Sequence, residues 1–160
     1  MNKFYANFAK VNRIPTYTDL YYTSLTEQGN PDLKAETAWS GEFGYQYQDG
    51  QNFLKYSMFW RKTTNAIDWQ KATSTSPWTA QNVGTLETKG FEVEANHQVN
   101  NWLGYSFGYT YLENQHLDDK IASRYSLDNL RHQFVAKLKN NYKGLVNELI
   151  YRYNERVNLG

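Results

Sequence analysis

The side chains of this chain that are equipped to hold a metal ion are three histidines and one pair of adjacent aspartates. His97, His116 and His132 lie far apart in the sequence, and cysteine is absent. The absence of cysteine removes thiolate ligands, cysteine nucleophiles and disulfides together. Asp118 and Asp119 offer oxygen ligands to a cation, but the polar segment around them has the composition of a solvated loop. We therefore predict no metal site and no cofactor.

Two glutamates, Glu92 and Glu94, have the spacing of a catalytic pair. Side chains two residues apart in a strand project from the same face, so both carboxyls would point the same way, as in a glycosidase. Charged residues recur at many positions of the same pattern, which favours a structural network of charges. The sequence also lacks a phosphate-binding glycine loop and a metalloprotease His-Glu motif. We predict that the protein is not an enzyme and has no catalytic residues.

Aromatic side chains in the connections are better candidates for a binding role. Five of them lie in or beside the longest predicted connections between strands: Tyr17, Tyr21, Tyr22, Trp69 and Trp78. Rigid aromatic rings of this kind provide contact area for a large ligand. The alternative is that Tyr21 and Tyr22 pack their loop against the end of the sheet. We predict ligand contact for the five residues.

The elements that position these residues are predicted to be strands, because apolar and polar residues alternate through most of the chain. The alternation is strictest from Leu103 to Tyr111, where Leu, Tyr and Phe alternate with Gly, Ser and Thr. The same period identifies seven strands: 3–12, 35–48, 54–69, 83–99, 103–111, 129–139 and 145–154. We predict an all-β fold in which these strands form an antiparallel meander.

The predicted connections alternate between long and short. Short connections are expected at three dipeptides that favour tight turns: Asp49-Gly50, Asn100-Asn101 and Asn140-Asn141. Long connections are expected at 13–34, 72–81 and 115–126. All three prolines, which cannot donate to a ladder, fall in the first two of these. Outer-membrane barrels show this asymmetry, with short periplasmic turns and longer loops outside.

Composition indicates a sheet with one apolar and one wet face. Aromatic residues make up 17% of the chain while the mean hydropathy is −0.80. The net charge of +1 gives no reason to expect nucleic acid as a partner. A barrel wall and a soluble β-sandwich share the alternation, but a dense charged face favours the barrel, with outer-membrane lipid against its other face. The charged residues of that face are Glu42, Glu92, Glu94, Arg131, Lys137, Lys139, Glu148 and Arg152.

Two spaced motifs resemble the barrel of TonB-dependent outer-membrane receptors. The first is an Arg-x-Pro-Thr-x-x-x-Leu-Tyr run followed by Gly-Asn-Pro-x-Leu-x-x-Glu, carried here by Arg13, Pro15, Thr16, Leu20, Tyr21, Gly29, Asn30, Pro31, Leu33 and Glu36. The second joins Asn82-Val83-Gly84 to Lys89-Gly90-Phe91-Glu92-Val93-Glu94. Ala35 stands where the family often has proline. The resemblance covers nearly the whole chain.

The resemblance implies that residues 1–160 are one partial barrel domain, a curved open section of a barrel of about 22 strands. The plug domain and the final strands are then expected outside this chain. No apolar stretch of signal-peptide length stands at its start, so an exported protein is expected to have residues upstream. The implied activity is active transport across the outer membrane of a Gram-negative bacterium.

The implied ligand is a large, scarce solute such as a siderophore, haem or a cobalamin, and the implied partner is the TonB complex, acting through the plug. The alternative from another class is a secreted or surface β-sandwich module that binds carbohydrate through exposed aromatics. That alternative predicts that Tyr105, Phe107 and Tyr109 are buried between two sheets.

Overall fold

The structure, a computed structural model, describes residues 1–116 and 130–156. Its main element is a seven-stranded antiparallel sheet, while a three-stranded sheet and a short helix lie in the long connections. None of the described helices is long and apolar enough to cross a membrane. In chain order the elements are β1 (Asn2–Arg13), α1 (Tyr17–Tyr21), β2 (Glu27–Gln28), β3 (Glu36–Gln48), β4 (Asn52–Thr64), β5 (Ile67–Gln70), β6 (Trp78–Asn82), β7 (Leu86–Asn100), β8 (Leu103–His116), β9 (Leu130–Tyr142) and β10 (Leu145–Arg156).

The predicted all-β meander of seven long strands is confirmed. The large sheet has the order β1-β3-β4-β7-β8-β9-β10, so each long strand pairs with the next one along the chain. The edge strands β1 and β10 have one neighbour each, and the sheet is therefore open. An open meander of this kind is what a section of a larger barrel requires.

The two faces of the large sheet differ in chemistry. The ladders align alternate residues into rows that cross all the strands. One such row, on what we call the apolar face, consists of Phe4, Tyr45, Tyr56, Val93, Tyr109, Phe134 and Tyr153. The opposite side, the polar face, includes Glu42, Lys55, Glu92, Glu94, Arg131, Lys137, Lys139, Glu148 and Arg152.

The apolar face has no covering layer in the described part of the chain. Phe4 is 69% exposed, Tyr105 48% and Phe107 38%. A β-sandwich would bury the last two side chains between its sheets. The sandwich alternative is therefore wrong, and the apolar face needs a different apolar environment.

Gly90 permits close packing at one ladder position. A Cβ atom at this residue would lie 2.1 Å from the carbonyl oxygen of Tyr111 and 2.6 Å from the ring of Phe59. The Phe59 ring therefore lies against the backbone of Gly90, an approach that glycine allows. This contact gives a physical reason for the glycine in the Lys89-Gly90-Phe91 part of the second motif.

The short connection between β3 and β4 forms a hairpin, as predicted, but by a different turn. It takes three residues, 49–51, and the Asp49 amide donates to the Asn52 carbonyl over 3.0 Å. Gly50 does not take the positive φ that a two-residue Asp-Gly turn would use. The carboxylate of Asp49 instead accepts from the backbone amides of Gln51 and Asn52, at 3.0 and 2.7 Å.

The prediction of a turn at Asn140-Asn141 is wrong. Both residues belong to β9, where they pair with residues of β10. The turn lies at Lys143 and Gly144, whose φ angles are 51° and 82°. A two-residue hairpin turn of type I′ needs positive φ at both positions, and Gly144 supplies one of them without steric cost.

The long connection between β4 and β7 contains more structure than predicted. β4 ends at Thr64, and the next residue, Asn65, has a φ of 53° and leaves the ladder. β5 and β6 then form an antiparallel hairpin, and β2 pairs with β6 in parallel. The predicted continuation of one strand to Trp69 is therefore wrong, since Trp69 belongs to β5. The predicted loop over 72–81 is wrong at its end, because Trp78 begins β6.

Candidate functional site

The best-organised group of polar side chains lies at the loop end, where β1, β3, β4 and β7 meet the long connections. Arg13, the last residue of β1, donates from Nη2 to Asp19 Oδ2 over 2.9 Å. Its Nη1 lies 3.2 Å from Glu36 Oε1. Both carboxylates are nearly buried, with 7% and 9% of each residue exposed. A buried carboxylate is unfavourable unless it is paired and hydrogen-bonded, so Arg13 stabilises both.

Helix α1 is short and depends on its N-cap. Thr16 Oγ1 accepts from the Asp19 amide at 3.2 Å, while the Asp19 carboxylate accepts from the Thr16 amide at 3.0 Å. This reciprocal pair is a capping box, which satisfies two backbone donors that the helix cannot use itself. Asp19 therefore caps the helix and pairs with Arg13 through the same oxygen. The first motif is in this way a folding signal for the connection.

Gly29 brings the second half of the first motif against α1. The Gly29 amide donates to the Tyr22 carbonyl at 2.6 Å, and the Asn30 amide donates to the Asp19 carbonyl at 2.8 Å. A Cβ atom on Gly29 would lie 2.8 Å from the carbonyl carbon of Leu20, too close for any side chain. Glycine is therefore required for the chain to return beside the helix.

Asn82 fastens the two long connections together. Its Nδ2 group donates to the carbonyls of Lys34 and Asn65, at 3.0 and 2.8 Å, and its Oδ1 accepts from the Lys34 amide at 2.8 Å. Glu36 adds a second link, because its Oε1 accepts from the Ile67 amide at 2.6 Å. Asn82 belongs to the second motif and Glu36 to the first, so the motifs meet in space. We call these links the Asn82 clamp.

A cleft of about 500 Å³ opens beside the clamp. Arg61, Asp68 and Trp69 line it together with the Arg13 group. The described residues contain no cluster of three or more histidines, aspartates and glutamates that could hold a metal ion. The cleft offers a polar molecule hydrogen bonds, charges of both signs and one indole ring.

The five predicted aromatic residues all lie at the loop end. Tyr17 and Tyr21 lie side by side on α1, with ring centroids 5.3 Å apart and the ring planes tilted by 52°. The two residues are 78% and 57% exposed. They lie on the side opposite the buried Asp19, since residues two apart in a helix face away from each other. Trp69 and Trp78 are partly buried in β5 and β6, and Lys71 Nζ lies 5.0 Å from the Trp78 ring centroid. Tyr22 follows α1 and is 43% exposed.

His97 and His132 have hydrogen-bond partners on the apolar face. His97 Nδ1 is 2.6 Å from Asn52 Oδ1, and His132 Nδ1 is 2.8 Å from the Tyr109 hydroxyl. Both rings are thus held in the sheet by a neighbouring strand. Asp118 and Asp119 lie outside the described residues.

Glu92 and Glu94 share the polar face, as their spacing predicts. In the ladders Glu94 lies opposite Lys55 on one side and Gly108 on the other, and it accepts from Asn96 Nδ2 at 3.3 Å. Lys55 and Glu94 are cross-strand neighbours of opposite charge. This arrangement fits a structural network of charges better than an acid–base pair of Glu92 and Glu94.

Residues 104–108, Gly-Tyr-Ser-Phe-Gly, formally match the Gly-x-Ser-x-Gly pattern of a hydrolase nucleophile elbow. An elbow needs a sharp turn from a strand into a helix. These residues lie within β8, and each pairs with β7 and β9 in regular register. The match carries no catalytic meaning.

Asp49 is the clearest perturbed acid outside the strands. Hydrogen bonds from the Tyr47 hydroxyl, at 2.6 Å, and from the Asn52 side chain hold the pKa of its carboxyl well below the ordinary value. The backbone amides of Gln51 and Asn52 act in the same direction. The cause is local, so this carboxylate belongs to the turn and not to a functional site.

Comparisons with known proteins agree with this geometry. Residues 2–158 match the family model described as TonB dependent receptor-like, beta-barrel. The vitamin B12 transporter BtuB of Vibrio vulnificus (strain YJ016) is 32% identical over 83 residues, which are 52% of this chain and 13% of that protein.

Solved structures show the same fold at low identity. The copper transporter OprC superposes with a TM-score of 0.80 at 18% identity, over 98% of this chain and 24% of that one. The siderophore receptor PirA of Pseudomonas aeruginosa superposes with a TM-score of 0.69 at 15% identity, over 96% of this chain and 28% of that one. The FrpB iron transporter of Neisseria meningitidis (F5-1 variant) superposes with a TM-score of 0.69 at 20% identity, over 94% of this chain and 24% of that one.

The chain thus spans about a quarter of these solved chains. The family model nevertheless matches all but a few of its residues, and the two motifs that meet at the Asn82 clamp lie within that match. This chain belongs to the TonB-dependent receptor family, as a section of its β-barrel.

Proposed function

We propose that this chain forms part of the barrel wall of a receptor that actively imports a large, scarce solute across the outer membrane of a Gram-negative bacterium. The observation that carries the proposal is the contrast between the faces of one open sheet. The apolar face is aromatic and uncovered in the described residues, while the polar face carries charges of both signs. A wall between lipid and a wet lumen needs this contrast.

The dimensions of the apolar face support the proposal. On β8 this face runs from Leu103 to Tyr111 before the first charged outward residue, Glu113. These nine residues of antiparallel strand rise about 31 Å, or roughly 23 Å along the membrane normal at a tilt of about 40°. An outer-membrane barrel has an apolar band of about 25 Å.

The proposed solute is a siderophore, haem or a cobalamin, and the relative named as a vitamin B12 transporter favours a cobalamin. The cleft that Trp69 lines opens at the loop end of the polar face, where Arg13 and Arg61 also line it. Tyr17 and Tyr21 form an exposed pair on α1. We propose that these aromatic residues, with Tyr22 and Trp78, contact the solute as it enters. The proposed partner is the TonB complex, acting through a plug domain of the same receptor.

Uptake in cells tests the proposal. The full-length receptor would be expressed in a strain without its own cobalamin and siderophore receptors, with and without TonB. Radiolabelled cyanocobalamin, a ferric siderophore and haem are the probes. We expect uptake of one probe, dependent on TonB. Uptake that persists without TonB, or no uptake of any probe by a folded receptor, would overturn the proposal.

Aromatic substitutions then test the contact residues. Tyr17→Ala combined with Tyr21→Ala, and Trp69→Ala by itself, should each raise the concentration of solute needed for half-maximal uptake by about tenfold or more. Tyr142→Ala is the matched control, because Tyr142 is 53% exposed at the other end of the sheet. Equal effects of the control and the loop-end variants would contradict solute contact.

A further inference from the structure

Two arginines line the cleft at the loop end, and they differ in how their charges are used. Arg13 of β1 contacts the carboxylates of Asp19 and Glu36, at 2.9 and 3.2 Å. Arg61 of β4 has no aspartate or glutamate oxygen within 4.0 Å among residues 1–116 and 130–156. Arginine stays protonated in proteins, so both side chains are cations. Arg13 therefore stabilises the fold, while the charge of Arg61 is available to a ligand.

One contact within β4 orients the Arg61 side chain. Its Nε donates to Thr63 Oγ1 at 3.3 Å, and Thr63, two positions nearer the loops, is buried. Both side chains project from the polar face, because residues two apart in a strand share a side. The contact uses one of the five N–H donors of the guanidinium. Nη1 and Nη2 carry the other four, which neither this contact nor an ion pair uses in the described residues.

The residues beside Arg61 leave room around its guanidinium. In the ladders it lies opposite Ser40 of β3 and Thr88 of β7, both of which have short side chains. Arg61 lines the cleft of about 500 Å³ and also a second cavity of about 210 Å³. Glu42 and Phe59, one row nearer the short turns, line that second cavity. Arg61 is therefore placed between the loop end and the deeper part of the polar face.

Trp69 supplies an apolar surface in the same cleft. The carboxylates that line the cleft are buried and hydrogen-bonded. Two of them are bound by Arg13, and the third, on Asp68, is 3% exposed and accepts from the Trp69 amide at 2.6 Å. Arg61, by contrast, is exposed. The cleft thus presents an exposed cation close to an indole ring.

We propose that Arg61 and Trp69 form a subsite for a carboxylate or phosphate group of the imported solute. A planar guanidinium can donate two parallel hydrogen bonds to either group. The indole ring can pack against the apolar part of the solute next to that group. This subsite rests on the proposed function, and it adds that the solute bears an anionic group and that Arg61 determines specificity for it.

Binding of paired probes to the purified full-length receptor in detergent tests the subsite. Each pair has an anionic member and a member in which the anionic group is blocked or absent. The pairs are haem and its dimethyl ester, cyanocobalamin and dicyanocobinamide, and a ferric siderophore with a free carboxylate and its amide. Inorganic phosphate is the probe for a free-anion site. Equilibrium dialysis gives the dissociation constants.

The variants are R61Q and R61K, and the matched control is K55Q. Lys55 lies on the same strand and the same face as Arg61, six positions nearer the short turns, and it pairs across the ladder with Glu94 outside the cleft. Heat-modifiable mobility in electrophoresis shows which variants are folded. R61K keeps the charge and most of the length of the side chain, so it carries the test if R61Q does not assemble.

We expect the wild type to bind the anionic member of one pair, and R61Q to weaken that binding by about tenfold or more, because a hydrogen bond to a charged group is lost. R61K should weaken it measurably but less, since lysine cannot donate the two parallel hydrogen bonds. K55Q should change it by less than twofold. The blocked member of the pair should bind R61Q and the wild type equally.

Several results would overturn the subsite. Equal weakening of the anionic and blocked members by R61Q would indicate a structural role for Arg61, such as a contact with the plug. Equal losses in K55Q and R61Q would indicate an effect of overall charge. Unchanged binding of the anionic member to R61K would exclude the two parallel hydrogen bonds. Inorganic phosphate bound as tightly as the anionic probe would identify a free-anion site, and a folded wild type that binds no anionic probe would also contradict the proposal.

Uptake measured in the same strains separates the subsite from the proposed function. Binding that depends on Arg61 and on the anionic group, in a receptor without TonB-dependent uptake, would support the subsite and refute the transport proposal. TonB-dependent uptake of a probe whose binding is the same in R61Q and the wild type would support transport and refute the subsite.

Discussion

Arginine placed along β8 measures which face meets the bilayer. We expect Phe107→Arg to lower the free energy of unfolding of the full-length receptor by about 2–4 kcal/mol, the range for a cation at the bilayer midplane of a barrel. Gly108→Arg, one residue further on, should cost much less because it enters the polar face. The prediction is a penalty that alternates with a period of two residues.

The magnitude follows from the position of Phe107. It pairs with Ala95 and Ala136. Glu113, the first charged residue on this face of β8, lies six positions further along the strand. That separation is about 20 Å along the strand, or about 15 Å along the membrane normal at a tilt of about 40°. No arginine side chain extends that far, so the guanidinium stays in hydrocarbon. Tyr111→Arg lies within about 7 Å of Glu113 and should cost less.

The control at Gly108 is well matched. A Cβ atom there would meet no other atom within 4 Å, so the substitution causes no immediate clash. In the ladder Gly108 lies opposite Glu94, whose carboxylate can pair with an arginine. Ser106→Arg is a second control on the same face. It lies opposite Lys137, so we expect it to lower the free energy of unfolding somewhat more than Gly108→Arg does.

Urea titration of each variant in lipid vesicles gives the unfolding free energies, and heat-modifiable mobility in outer membranes reports assembly in cells. A penalty without the two-residue period would refute the assignment of faces. A penalty as large for Tyr111→Arg as for Phe107→Arg would indicate a buried protein core in place of a bilayer.

Three further substitutions test the two ends of the sheet. Asn82→Ala removes three hydrogen bonds to the backbone and should lower the free energy of unfolding by about 1–3 kcal/mol. We expect trypsin to cleave the variant after Lys34 faster than the wild type, and an unchanged cleavage rate would contradict the clamp. Gly29→Ala should expose the Leu20 region to chymotrypsin, because its methyl group would lie 2.8 Å from the Leu20 carbonyl carbon; unchanged protection would contradict the close approach. Asp49 has a lowered pKa, so its carboxylate stabilises the folded state above an ordinary pKa near 4, and this stabilisation is lost as the pH falls toward the lowered value. Asp49→Asn should therefore flatten the acid dependence of stability below about pH 4, and an unchanged slope in urea titrations would refute this.

The strands and faces are predictable from the sequence because their signal is local. Leu103 to Tyr111 repeats with a period of two, and a sheet with one apolar face has no other way to place such residues. The long and short connections follow from prolines and turn-forming dipeptides for the same reason. The resemblance to the receptor family identified the class from motif residues, and the family match confirms it.

The remaining features depend on contacts between distant residues. Asn140 and Asn141 have turn propensity, but pairing with β10 keeps both in the ladder and moves the turn to Gly144. The Ser/Thr-rich segment gives no strand signal at Trp78, which begins β6 because it pairs with Glu27 of β2. Asn82 is recognisable as part of a motif, but its hydrogen bonds to Lys34 and Asn65 follow only from the folded arrangement.

The Asn82 clamp has a consequence for protein engineering. It divides the connection between β4 and β7 into a fixed base, at residues 65–66 and 82–84, and a tip around Thr73 and Ser76, whose hydrogen bonds are local to residues 73–76. The base is held by the Asn82 side chain and by backbone hydrogen bonds between Ala66 and residues 83–84. We therefore expect changes in the sequence of the tip to leave the wall beneath it unaltered. With the loop end outside the cell, as proposed above, residues 73–76 are the place to graft a foreign epitope for display on living bacteria.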